Sequence, residues 1–429
     1  MKRILVLLAG VFWAVQAWGQ QDTLAHEFSV TSSMWSRGEY RDGGMPDESG
    51  RDNAVFISAR TLLNLNYKYK ALEVKVAPAF YGVWGAKGGG GFSMDEAWFS
   101  LRSKTGLFAQ LGRQKLRYDD QRIIGDNDWA MVVSKHDVLR AGFENDKHKV
   151  HVILAFNQND ENTNGGTYYV DGGQPYKAME TLWYHWDPVP QFGASLIFIN
   201  TGMQNLVAPE LNKTEQQQLF GAFLDWHPKD FSLQAAYYRQ TGKNEYCLPI
   251  SAWMASAEAS WDINRNWNLK GGYYFMSGDE SYYSVMEGEI GMAKKTSVHG
   301  FNPIFGSHHQ FYGAMEFFYV KTFYGGNAPG LQDLHIGGEW KPVSNLNLGL
   351  DFHYLATAVA IKGVGKTLGY ELELEASWTI TKNVTMSAGY SWMRGTKTMD
   401  VLKRKSNDDH LTWAWLMLTV NPEFFNKKW

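Results

Sequence analysis

The densest chemistry in the chain is "GRQKLRYDDQRIIGDNDW", Gly112 to Trp129, where four basic and four acidic side chains fall within eighteen residues. Such a run could hold an acid–base pair, bind an anion or a metal, or line a polar passage. Asp119 and Asp120 are adjacent carboxylates, but neighbours on an extended segment point to opposite sides and are not expected to share a proton. His299, His308 and His309 share a segment with Asp279 and Glu280. Neither G-x-S-x-G nor H-E-x-x-H accompanies them, so no enzyme is expected.

A second stretch, "DENTNGGTYYVD", sets Asp160, Asn162, Asn164 and Asp171 at the spacing of an oxygen-lined calcium loop, with Gly165 at its turn. The closing ligand is Asp rather than the longer Glu, and the same letters compose an ordinary Asn/Gly-rich turn. Calcium in this loop is the one cofactor the residues suggest.

The elements that must position these groups follow from the compartment. The chain opens "MKRILVLLAGVFWAVQAWGQQDT", with Lys2 and Arg3 before an apolar stretch too short to span a bilayer, then small Ala17 and Gly19. This pattern reads as a secretory leader over residues 1–19, cleaved before Gln20. A single cysteine, Cys247, excludes an internal disulfide framework. The net charge of −3 becomes −5 once Lys2 and Arg3 are removed, so no basic field recruits nucleic acid.

Periodicity then sets the fold class. In "NLNLGLDFHYL", Leu346, Leu348, Leu350, Phe352 and Tyr354 share one face, while Asn347, Gly349, Asp351 and His353 share the other. "GYELELEASWTI", "NVTMSAGYSW", "FSLQAAYY" and "ALEVKVAPAF" alternate in the same way, as half-apolar strands do. The spacers between strands alternate too. Short ones such as "DPVP", "HPKD" and "ITKN" interleave with long ones at 41–52, 118–135, 159–174 and 395–407. Tight turns at one end and long loops at the other are the mark of an all-β, antiparallel transmembrane barrel with long extracellular loops. Mean hydropathy of −0.36 agrees with strands that are apolar on one face only.

Trp98, Trp253, Trp261, Trp267, Trp340, Trp378 and Trp392 lie near strand ends, where an aromatic girdle belongs. Strand direction constrains the count. The strand "NLKGGYYFM" runs outward and "DLHIGGEW" inward, so residues 277–330 contribute either no strand or two. The first gives eighteen strands, at roughly 23 residues each, and the second twenty. A barrel with a separate plug domain is not expected, because "HEFSVTSSMW" follows the leader almost at once.

With the apolar face in lipid, where a midplane charge costs about 2–4 kcal/mol, the polar face lines an aqueous lumen. That face carries Arg60, Asn64, Glu73, Lys75, Glu96, Arg102, Arg140 and Glu144 in the first half. The second half supplies Glu258, Lys270, Glu339, Asp351, Glu371, Glu373 and Glu375. Cations gather mostly on one arc and carboxylates on the other, which sets a transverse field across the passage. At the opening stretch, buried Ile123 and Ile124 would fold the loop back into the mouth. Arg117, Asp119, Asp120 and Arg122 would then face the pore. Alternation leaves open whether Arg113 or Gln114 points inward.

"GRQKLRYDDQRIIGDNDW" followed by "DVLRAGFE" resembles the signature of the alginate-export family of outer-membrane porins, and "FNPIFGSHHQFYGAMEFF" resembles that family's second recurring stretch. The resemblance implies an eighteen-stranded barrel in the outer membrane of a diderm bacterium, set in lipid and passing a hydrophilic, anionic polysaccharide without a cofactor. It gives Arg113, Arg117, Arg122 and Arg140 the anion-contacting role. "ELELE" and the net negative charge depart from the strongly basic lumen that such a solute implies. The alternative is a barrel closed by the loop at 277–330 and serving as a binding or adhesion surface.

Overall fold

A computed structural model of the chain describes residues 25–42, 53–161, 163–164, 166–170, 172–208, 212–279, 296–316, 329–361, 363–403 and 410–429. The leader read at 1–19 lies outside them. The first strands are β1 (His26–Asp42), β2 (Ala54–Tyr69), β3 (Leu72–Val83), β4 (Gly91–Arg102), β5 (Leu107–Gln114) and β6 (His136–Glu144). Next come β7 (His148–Phe156), β8 (Ala178–Val189), β9 (Phe192–Gln204), β10 (Thr214–Trp226), β11 (Phe231–Gly242) and β12 (Ala252–Asn264). The wall continues through β13 (Trp267–Met276), β14 (Leu331–Val343), β15 (Leu346–Ile361) and β16 (Gly365–Thr381). It ends with β17 (Val384–Gly395), β18 (Leu411–Val420) and β19 (Glu423–Lys428).

Each strand pairs with the next from β1 to β18, and β18 returns to β1, so eighteen antiparallel strands close into a ring. Closure is what lipid demands, since an open edge would leave backbone donors and acceptors unpaired in hydrocarbon. β13 and β14 pair directly from Trp267↔Trp340 to Met276↔Leu331. Residues 277–330 therefore insert no strand between them, which decides for eighteen over twenty. β19 adds no further member to the ring. Met34↔Val420 and Thr31↔Glu423 keep one register, so β18 and β19 form a single line broken at Asn421 and Pro422. Proline has no N–H to continue the ladder. Its carbonyl still accepts the amide of Ser32 at 3.0 Å.

Short links such as 70–71, 190–191, 265–266 and 382–383 gather at one end, and the connections from β5 to β6, β7 to β8 and β13 to β14 leave from the other. The outer face carries the expected apolar set, with Leu350, Leu374 and Leu416 all about half exposed. Trp186, Trp226, Trp261, Trp267, Trp340 and Trp378 stand exposed near the short-link end, and Trp267 stacks on Trp340 at 5.4 Å. Trp98, expected in this girdle, is not there. Its neighbour Phe99 faces outward, so alternation turns Trp98 inward, where its Nε1 donates to Glu96 at 3.0 Å.

Candidate functional site: a constriction built by two inward loops

The β5–β6 loop (115–135) and the part of the β13–β14 loop described at 296–316 both enter the lumen, and apolar burial drives them there. Leu116, Ile123 and Ile124 join Phe301, Phe305, Tyr312 and Met315 in one buried cluster with inward wall residues such as Ile153 and Met179. A solvated loop could not hide those isoleucines, and the cluster can. The two loops also pair. Ile124 bridges Phe305 in parallel, with Gly125 N donating to Phe305 O at 2.9 Å and Phe305 N to Ile123 O at 3.1 Å. Glycine is required at the crossing. A β-carbon on Gly306 would stand 2.2 Å from the carbonyl oxygen of Arg122.

The wall holds each loop by opposite chemistry. On the basic arc, Arg60 Nη1 donates to the carbonyls of Asp128 at 3.1 Å and Ala130 at 3.0 Å, while Nη2 meets the Asp128 carboxylate at 2.8 Å. Arg37 donates to the carbonyl of Trp129 at 3.1 Å and lies over the Trp129 ring at 4.1 Å. On the acidic arc, Glu371 accepts the amide of Met315 at 2.8 Å, and Glu373 accepts that of Ala314 at 2.6 Å. Burial works against ionised Asp128, but Lys115 and Arg60 together hold its carboxyl below the ordinary range.

The charges of the opening stretch separate into different roles. Arg117 is 56% exposed along its side chain and pairs with Asp126, its Nε donating at 2.8 Å. Lys115 reaches Asp128 at 3.2 Å. Arg122 does not face a passage. It is 3% exposed, bonded to Asp120 at 3.0 Å, and sandwiched between the rings of Tyr274 at 4.0 Å and Phe311 at 3.8 Å. A guanidinium is weakly hydrated and stacks well on aromatic faces, so this cation serves as a core member that ties the two loops together. Asp119 and Asp120 serve different partners, but they do so from a turn, with Asp119 at a φ of 52°, and not from the extended segment the sequence suggests. Asp119 accepts Trp183 Nε1 at 3.1 Å, and Asp120 serves Arg122.

Arg113 is on the outer face. Leu107 and Leu111, of the same parity on β5, face outward, and Arg113 makes a paired contact with Asp137 at 2.8 Å there. Gln114 is the inward residue, fully buried against Val138 O. Arg102 and Arg140 do line the lumen, but away from the loop crossing. Arg102 pairs with Glu144 at 2.7 Å, and Arg140 donates to Gln110 at 2.9 Å. In the candidate calcium loop, Asp160 and Asn164 stand exposed, while Asn162 and Asp171 lie outside the described residues.

An alginate-export family model matches residues 92–358, well over half of the chain. The chain belongs to the alginate-export family. Its fold is shared with solved structures of low sequence identity. Pseudomonas aeruginosa OpdO aligns with a TM-score of 0.61 at 12% identity, covering 93% of this chain and 98% of that one. Pseudomonas aeruginosa OccK9 (OpdG) gives 0.62 at 11%, covering 92% and 98%. Acinetobacter baumannii OccAB1 gives 0.62 at 10%, covering 93% and 97%. No curated protein matches the chain by sequence. This alginate-export family member is thus a porin-like barrel of the outer membrane.

Between the crossed loops and β1 lies a polar cavity of about 190 Å³, lined in part by Arg37, Arg41, Trp129, His309, Glu316 and Trp413. Trp129 lies between the Arg37 guanidinium and His309, which stacks on it at 4.2 Å. Arg41 covers the Trp413 ring at 4.6 Å and shares Glu39 with Arg37. Sequence reasoning missed Arg37 and Arg41 as site residues. The signal was present in "WSRGEYR", where Trp35, Arg37, Glu39 and Arg41 recur at period two on one face.

Proposed function

We propose that this barrel passes a hydrophilic, anionic saccharide by diffusion along the basic side of the loop crossing. The observation that carries the reading is the cavity in which the Arg37 and Arg41 guanidiniums stand among Trp129, His309 and Trp413. Planar guanidiniums match carboxylate geometry, and flat rings offer apolar faces to a sugar. Arg41 and Arg117, a third and a half exposed, are the cations best placed to meet a solute. No covalent step is asked of any residue.

The test is current through single barrels in planar bilayers. Wild type should give discrete steps, anion preference under a salt gradient, and interruptions by an acidic oligosaccharide that a neutral one of equal length does not produce. Arg41→Glu with Arg117→Glu should abolish that preference. Equal blockade by both sugars would sink the anionic solute. Absence of conductance steps would favour a closed barrel with a binding surface.

Calcium in the β7–β8 loop is a separate proposal, motivated by the Asp160 to Asp171 spacing. Calorimetric titration should show binding that disappears in Asp160→Ala. Identical heats in the two proteins would remove the site.

A further inference from the structure

One row of inward side chains crosses five strands. Glu258 on β12, Gly272 on β13, His335 on β14, His353 on β15 and Glu371 on β16 are successive cross-strand partners. Asp333 stands two residues before His335 and therefore on the same face. Its carboxylate lies 2.9 Å from Nδ1 of His353 and 3.8 Å from Nδ1 of His335. All three residues are buried, and the ligating atoms they offer lie within 4.8 Å of one another.

We propose that Asp333, His335 and His353 bind one divalent transition-metal ion of the zinc class. Donors on a tetrahedral ion at ordinary bond lengths sit about 3.4 Å apart, and the spacings here lie on either side of that value. Two imidazoles and a carboxylate suit zinc, cobalt or nickel rather than calcium, which wants oxygen alone. They leave a position for water.

Three further features fit coordination better than a plain hydrogen-bond network. Nδ1 of His335 is buried and makes no hydrogen bond among the described residues, although it faces Asp333. The far nitrogens of both imidazoles meet carboxylates, His335 Nε2 with Glu258 at 3.2 Å and His353 Nε2 with Glu373 at 3.5 Å. A carboxylate behind the imidazole is the usual way to fix the tautomer of a metal-bound histidine. Finally, a β-carbon on Gly272 would lie 2.9 Å from His335 Nε2, so the glycine provides the space in which this ring turns toward Glu258.

The ion would sit in the wall beside the segment that Glu371 and Glu373 hold, independently of which solute passes. The full mature barrel, carrying no histidine tag, is refolded in detergent with zinc present, or incubated with zinc after refolding, then desalted. Mass spectrometry should find about one zinc per heat-modifiable barrel. Occupancy should fall at least tenfold in Asp333→Asn combined with His335→Gln, and persist in the control His227→Gln at an exposed turn. Zinc below about a tenth of an equivalent under both loading regimes, or undiminished in the double variant, overturns the site. Should the double variant fail to fold, wild type loaded with cobalt decides. Visible d–d bands of a low-coordinate nitrogen/oxygen site, bleached by added zinc, support the proposal, and their absence overturns it.

Discussion

The two arcs of the lumen face each other across the crossed loops, and they grip unlike ends of the peptide group. On β1 and β2, arginines donate hydrogen bonds to the carbonyls of residues 128–130. On β16, carboxylates accept hydrogen bonds from the amides of residues 314 and 315. A guanidinium has donors to spare, so Arg60 serves two carbonyls and the Asp128 carboxylate at once. A carboxylate only accepts, and Glu371 holds one amide while its second oxygen stays buried with no partner among the described residues. The β5–β6 loop is therefore tied by backbone and side chain together, the other mainly by backbone. Part of the transverse charge anchors the loops and is not presented to solute.

The heaviest blow to this asymmetry should come from Arg122→Glu. It places an acid beside Asp120 inside an aromatic box, at about 4–5 kcal/mol against the seated loops. Proteolysis within 115–135 of an otherwise heat-modifiable barrel would report the release, and a protected loop would show that Arg122 is not the tie. Arg60→Ala should come next, near about 3 kcal/mol, because the arginine is buried but its partner Asp128 is half exposed. Its signature would be larger, noisier conductance.

On the opposite arc, Glu371→Ala should loosen the β13–β14 loop by only about 1–2 kcal/mol. A cost equal to that of Arg60→Ala would erase the contrast between the arcs. Arg117→Glu should cost about 1 kcal/mol, because its partner Asp126 is buried but keeps Lys115 nearby, yet shift the reversal potential toward cations. An unmoved reversal potential would take Arg117 out of the conducting path.

The smallest effect concerns Asp119, whose carboxyl burial holds above its ordinary range. Such a group favours the seated loop when protonated and withdraws that favour as pH rises through the raised value. Asp119→Asn should flatten the acid side of the loop's protection profile, measured by hydrogen exchange. An unchanged profile would assign the pH response to another group.

Much of the barrel was legible because lipid enforces a rule that letters can show. Leu346 to Tyr354 alternate because one face must be apolar, and strand direction alone narrowed the count to eighteen or twenty. The same rule explains the misplacement of Trp98, since a tryptophan near a strand end was taken for girdle when parity with exposed Phe99 turns it inward. Arg113 and Gln114 could not be separated by alternation at the end of β5. Both are polar, and it is the outward parity of Leu107 and Leu111, unbroken through Gly112, that turns Arg113 out and Gln114 in. Arg122 was beyond local reading. Its aromatic box draws on Tyr274, Phe311 and Tyr312, far away in sequence, and nothing near residue 122 announces them.

The seam between β1 and β18 bears on how the molecule comes together in time. Neighbouring strands form hairpins from residues a few dozen apart, whereas Arg41 meets Trp413 only after nearly the whole chain has been laid down. The entropy of so long a closure grows only logarithmically with length, but pairing at this sequence separation is slow because that entropy is lost before any contact rewards it. Trp413 bonds Glu39 at 3.1 Å, and Glu39 in turn orients the Arg37 that seats Trp129. The inner loop thus receives part of its support from two strands at opposite ends of the chain. A barrel whose β1–β18 seam is still open would lack the Trp413–Glu39 contact, and with it part of the support of the 115–135 loop.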